Sequence, residues 1–128
     1  MEFQAKLFSW NDTGNHLIIV ARGTMDAPAF PRLFGEIAVE TQCVSDCKIL
    51  IDLSDSTCAI DVNDIEELVA GLPLGGWPAD NKIAFISSSE ISSYHRLYFL
   101  RTALAARGLV AGVFRSTKVA TDWLAGLI

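Results

Sequence analysis

Short apolar runs alternate along the chain with polar stretches that carry glycine, proline, serine or aspartate. Gln4 to Trp10 and the apolar run Leu17 to Val20 flank Asn11-Asp12-Thr13-Gly14, residue types that suit a tight reversal, so the pattern predicts a β-hairpin. After Gly23 the chain turns towards Pro28 and Pro31. Proline is tolerated only in a first helical turn, which places the start of the first helix near Pro31, with Leu33, Phe34, Ile37 and Ala38 as its buried stripe. Lys48 to Leu53 is a short aliphatic run of the kind a strand covered on both faces requires. Ser54-Asp55-Ser56-Thr57 reads as the loop after it. The second helix is the best specified element. Asp61 can cap it, Ile60 and Ile65 take the two positions of a hydrophobic staple, and Ile65, Leu68, Val69 and Leu72 follow at helical spacing until Pro73 and Gly75-Gly76 end it.

Lys82 to Ile86 repeats the buried-strand pattern and leads through Ser87-Ser88-Ser89 to a third helix, with Leu97, Leu100 and Leu104 inward and Gly108 past its end. Val110 to Phe114 is a further strand. Ser116 or Thr117 caps a last helix whose Ala120, Trp123, Leu124 and Leu127 fit the i, i+3, i+4, i+7 template. The expected order is ββαβαβαβα. Strands separated by helices must run parallel through right-handed crossovers, so the pattern predicts an α/β fold with a mostly parallel five-stranded sheet and an antiparallel first strand.

Composition narrows this further. The 128 residues suit one domain spanning 1–128, and 51% hydrophobic against 20% charged residues is the balance of a packed interior. A net charge of -5 without a basic run argues against nucleic acid, whose binding draws on Lys and Arg set against phosphates. Leu17 to Ala21, the longest apolar stretch, is far short of a membrane span, and Met1-Glu2-Phe3-Gln4 lacks the features of a signal peptide, so a cytoplasmic protein is expected. Cys43, Cys47 and Cys58 are odd in number and lack metal-ligand spacing, which reads as reduced thiols. Cys43 and Cys47 could share a helical face as a transient redox pair. No metal site and no cofactor are expected.

Particular residues add a resemblance. Ile49-Leu50-Ile51-Asp52-Leu53-Ser54 followed by Ile60-Asp61 looks like the strand, loop and helix start at the centre of STAS domains. Val113-Phe114 followed by Ala120 and Trp123-Leu124 is similar to the ending of uncharacterised bacterial SpoIIAA-like proteins. Together they make the chain resemble the SpoIIAA-like group of the STAS superfamily over most of its length. In anti-sigma-factor antagonists of that superfamily, the Asp at the start of the second helix is followed by a serine that a partner kinase phosphorylates. Here Asp61 is followed by Val62, Asn63 and Asp64. The resemblance therefore implies a STAS-type scaffold without its phosphoserine, able to bind a protein through the same helix end. Related SpoIIAA-like proteins resemble the CRAL-TRIO lipid-binding group, which makes a carrier of a small apolar molecule or lipid headgroup the alternative.

Open parallel sheets bind ligands beyond the carboxyl ends of their strands. That edge gathers a candidate rim: Ser54, Asp55, Ser56 and Thr57 from one loop, Asp61, Asn63 and Asp64 at the helix start, Trp77 after the second helix, and Ser87, Ser88 and Ser89 after the next strand. Free amides at the start of the third helix could hold an anion there. Loop and capping chemistry explains the same Ser and Thr residues, and a helix favours acids where Asp61, Asp64, Glu66 and Glu67 stand. Asp55, Ser87 and Lys118 superficially match a phospho-accepting receiver domain, but Gly23-Thr24-Met25-Asp26 supplies one carboxylate where such a domain needs an acidic pair for magnesium. Tyr94-His95-Arg96 cannot converge from successive helical positions, and His16 has no companion ligand. No nucleophile, base and orienter set emerges. The expectation is a non-enzymatic regulatory or protein-binding module, with an unrecognised hydrolase using Ser54, Ser88 or His95 as a third reading. The first hairpin strand, as a sheet edge, could also pair two copies.

Overall fold

The computed structural model describes the backbone of residues 4–10 and all of residues 16–41, 47–72 and 82–127. The elements are β1 (Gln4–Trp10), β2 (His16–Met25), α1 (Ala29–Thr41), β3 (Lys48–Cys58), a 3-10 turn (Val62–Asp64) running into α2 (Ile65–Ala70), β4 (Lys82–Ile86), α3 (Ile91–Ala106), β5 (Val110–Phe114) and α4 (Thr117–Leu124). Strands β2 to β5 form a parallel sheet in sequence order, and β1 lies antiparallel on β2 with Gln4 opposite Arg22 and Trp10 opposite Leu17. The residues that would turn this hairpin, Asn11 to Gly14, lie outside the described residues, as do Cys43, Pro73, Gly75, Gly76 and Trp77.

Alternation decides what each face carries. Leu17, Ile19 and Ala21 of β2, Ile49, Ile51 and Leu53 of β3, and Ile83 and Phe85 of β4 point to one side. There they meet Phe30, Leu33, Phe34 and Ile37 of α1, Ile65 and Val69 of α2, and Leu97, Leu100 and Leu104 of α3. On the other side, Leu50, Ala84 and Ile86 pack under Ala120 and Leu124 of α4, with Ile18, Phe114 and Trp123 half-buried around them. Three helices therefore share one face and α4 covers part of the other. Leu127, expected to continue the α4 stripe, lies beyond the helix and is 72% exposed.

Four local readings change. Ser54 to Thr57 is not a loop: β3 runs on to Cys58, its second half pairing Asp55 with Arg22 and Cys58 with Met25. Between Val20–Asp52 and Arg22–Asp55 the register shifts because β3 advances one residue more than β2, which is a bulge. Asp52 Oδ1 accepts from the Ser54 amide at 2.9 Å across that bulge, and Gly23, with φ of 92°, supplies the left-handed residue on the facing strand. Secondly, α2 ends at Ala70 with Gly71 as its cap, ahead of Pro73. Thirdly, Asp61 caps the 3-10 turn, its Oδ1 accepting from the Asn63 amide at 2.9 Å, and Asp64 stands at the N-cap of α2 without a side-chain bond. Finally, Cys47 immediately precedes β3 and lies outside α1, so it shares no helical face with Cys43. Pro31 falls in the first turn of α1, where no intrahelical amide bond is lost.

Candidate functional site

The expected rim residues divide between buried and exposed positions, and Trp77 lies outside the described residues. Ser56 is buried and its Oγ donates to the Ala21 carbonyl at 2.9 Å, so it joins β3 to β2. Ser87 is buried too, with its amide on the Phe114 carbonyl at 2.8 Å and its Oγ on the Ser88 carbonyl at 2.9 Å. Ser88 is 8% exposed and its hydroxyl finds no partner among the described residues. Ser54, Asp55, Thr57 and Ser89 remain at the surface. Asp55 faces Arg22 at 3.8 Å, and Thr57 Oγ1 donates to Glu90 Oε1 at 3.3 Å. Lys118 pairs with Asp122 one turn along α4 at 2.9 Å, so the receiver-like trio of Asp55, Ser87 and Lys118 is engaged elsewhere, residue by residue. His95 is exposed beside the Tyr94 ring.

Ser93 and Arg96, which periodicity alone did not single out, hold the end of β3 against α3. The Cys58 amide donates to Ser93 Oγ at 3.1 Å, and Arg96 Nη1 donates to the Cys58 carbonyl at 2.9 Å. Both bonds satisfy backbone groups left over where the strand stops pairing. Burial raises the Cys58 thiol above its ordinary pKa, outweighing the amide of Ile60 and the charge of Arg96, which act the other way. A neutral, enclosed thiol is a poor nucleophile.

The open feature lies one layer out. A groove of about 610 Å³ runs between the 3-10 turn with α2 on one side and α3 on the other, walled by Val62, Ile65, Val69, Phe99, Ala103 and Ala106, with Asn63, Glu66, Thr102 and Arg107 along its margins. Val62 is 40% exposed and Phe99 51%. Arg107 closes one end, its guanidinium donating to the Val69 and Leu72 carbonyls at the C-terminus of α2, where a cation also complements the helix dipole. Of the expected rim, Asn63 lines this groove, and Asp61 and Asp64 flank it in the chain, both exposed. A shallower hollow between Tyr94, Val113, Phe114, Arg115, Ser116 and Val119 is roofed by Arg115 stacked 4.6 Å over the Tyr94 ring.

Superposition on solved structures decides the fold. A crystal structure of an uncharacterized protein from the DUF3478 family with a SpoIIAA-like fold, from Shewanella loihica, matches with a TM-score of 0.58 over 95% of this chain and 93% of its own, at 16% identity. An anti-sigma factor antagonist from Mycobacterium paratuberculosis matches with a TM-score of 0.56 over 97% and 95% of the two chains, also at 16% identity. The fold is SpoIIAA-like. No family model and no curated protein matches the chain. On this SpoIIAA-like scaffold the start of α2 carries Asp61, Val62, Asn63 and Asp64, all exposed, and no helix among the described residues is long and apolar enough to cross a membrane.

Proposed function

We propose that this SpoIIAA-like chain is a non-enzymatic, cytoplasmic regulatory module that binds another protein, and that it does so without a phosphoserine at the start of α2. The observation that supports this reading is the groove beside that helix start, where Val62 and Phe99 keep 40% and 51% of their surface in water. Two large apolar side chains facing one depression are the kind of anchor point that partners fill. Asp64 places a carboxylate close to where an antagonist of the resembled kind would carry its switchable hydroxyl, so the charge there is constant. The experiment is photo-crosslinking in living cells from a benzoyl-phenylalanine placed at position 62 or 99, with position 39 on the exposed side of α1 as control. A discrete protein adduct from positions 62 and 99 and none from 39 is expected. The same products from all three positions, or none, would overturn the reading.

The carrier reading is supported by the same groove, whose volume falls within the range of small-ligand sites. It is partly open to solvent rather than enclosed, which suits a macromolecular surface better than a sequestered ligand. Native mass spectrometry separates the two, since a carrier retains its cargo through purification.

A further inference from the structure

We propose that the α2–α3 groove receives an amphipathic helix of the partner, apolar side down, with lysine or arginine along the edge that faces the start of α2. This rests on the reading that the groove docks a protein, and it adds the chemistry of what docks. The groove is walled along α3 from Phe99 to Arg107, which at the helical rise of 1.5 Å per residue is about 12 Å. An amphipathic helix presents anchors at i, i+4 and i+7, about 10.5 Å from first to last, so three anchors fit this length. The apolar walls come from two helices, leaving a trough between ridges rather than a closed pocket, which is the shape that helix-in-groove recognition uses.

Charge selects the sign of the occupant's edge. Glu66 lies along the groove margin, and Asp61, Asp64 and Glu67 neighbour the lining residues on the same segment, all four exposed. None of them is in a salt bridge among the described residues. The cation at the groove, Arg107, is held at the C-terminus of α2 by the Val69 and Leu72 carbonyls, away from the start of that helix. The side of the groove at the start of α2 thus carries carboxylates without an ion-pair partner among the described residues, on a chain of net charge -5. A helix carrying acids on that edge would meet like charge, while a basic edge would be steered in and held in register.

The test uses the full chain, isotopically labelled, and two synthetic peptides of about 18 residues with the same leucine face, one flanked by lysines and one by glutamates. The lysine peptide is expected to shift the amide resonances of residues 62–70 and 99–107, with an affinity that falls roughly tenfold between about 50 mM and about 300 mM salt. Glu66→Lys with Glu67→Lys is expected to weaken that binding about three- to tenfold and to improve binding of the glutamate peptide. Phe99→Ala, an exposed site, should weaken both. Equal shifts from both peptides would overturn the basic edge while leaving the docking face standing. Absence of shifts at the groove from either peptide would overturn the helix, and only a blank crosslinking result as well would remove the proposed function. Concentration-dependent shifts of the same amides without peptide would assign the groove to a second copy of this chain and overturn the proposal.

Discussion

Replacing Gly112 with alanine sets two effects of known sign against each other. In the middle of β5, alanine restrains the unfolded chain more than glycine does, an advantage of about 0.5–1 kcal/mol. Against it stands space. A Cβ at position 112 would lie 2.8 Å from Cε2 and 2.9 Å from Cζ of Phe114, and 3.4 Å from Cη2 of Trp123. Carbon pairs prefer about 3.5–4.0 Å, so the Phe114 ring must retreat by well over half an ångström. Trp123 limits that retreat, its ring centroid 5.3 Å from that of Phe114 at a tilt of 48°, and Trp123 in turn lies under Lys82 at 5.4 Å. Overpacking of this kind costs about 1–3 kcal/mol, so the expected net loss is about 1 kcal/mol. Urea unfolding followed by tryptophan fluorescence and by far-ultraviolet circular dichroism reads it directly. The same substitution made in a Phe114→Ala background should lose its penalty and become neutral or slightly stabilising. Gly112→Ala that leaves stability unchanged, or that costs as much without the Phe114 ring as with it, would refute the steric account.

Ser93→Ala removes the acceptor of the buried Cys58 amide, and an unsatisfied buried donor costs about 1–3 kcal/mol. Thermal and urea unfolding should both show the loss, and an unchanged midpoint would mean that another acceptor takes over. Cys58 makes the second test a pH profile. Its thiol is raised in the folded state, chiefly by desolvation, so below the ordinary thiol range both states keep the proton and no stability difference arises. As pH rises past about 8.5, the unfolded chain releases that proton first and stability falls. Comparing unfolding midpoints at neutral and alkaline pH for the wild type and Cys58→Ala should show the variant less stable at neutral pH but losing less as pH rises. Parallel profiles would rule out the cysteine as the source.

The order of elements was legible because each segment's apolar period matches the element it forms. Leu97, Leu100 and Leu104 recur at helical spacing and all three are buried, and Lys82 to Ile86 is a strand with those bounds. What misled was composition. Ser54-Asp55-Ser56-Thr57 has the residue types of a loop, yet the segment is strand because β2 offers a partner backbone and Ala21 an acceptor for Ser56. Neither is visible within the segment itself. The candidate rim fared similarly: carboxyl ends of strands place its residues in one neighbourhood, but whether a serine faces water or a carbonyl depends on the register of its neighbours.

The amino-acid order by itself determines the periods, the caps such as Ser116 on the Val119 amide, and the absence of a hydroxyl at positions 62 to 64. Those are properties of contiguous residues, written in side-chain type and spacing. Tertiary structure alone decides that α1, α2 and α3 share one face of the sheet, that Ser93 and Arg96 close the end of β3, and that Val62 and Phe99 look into one groove. These depend on residues far apart in the chain meeting across packed layers, and the apolar side chains that form a groove are of the same kind as those that fill a core. Only the place left uncovered distinguishes them.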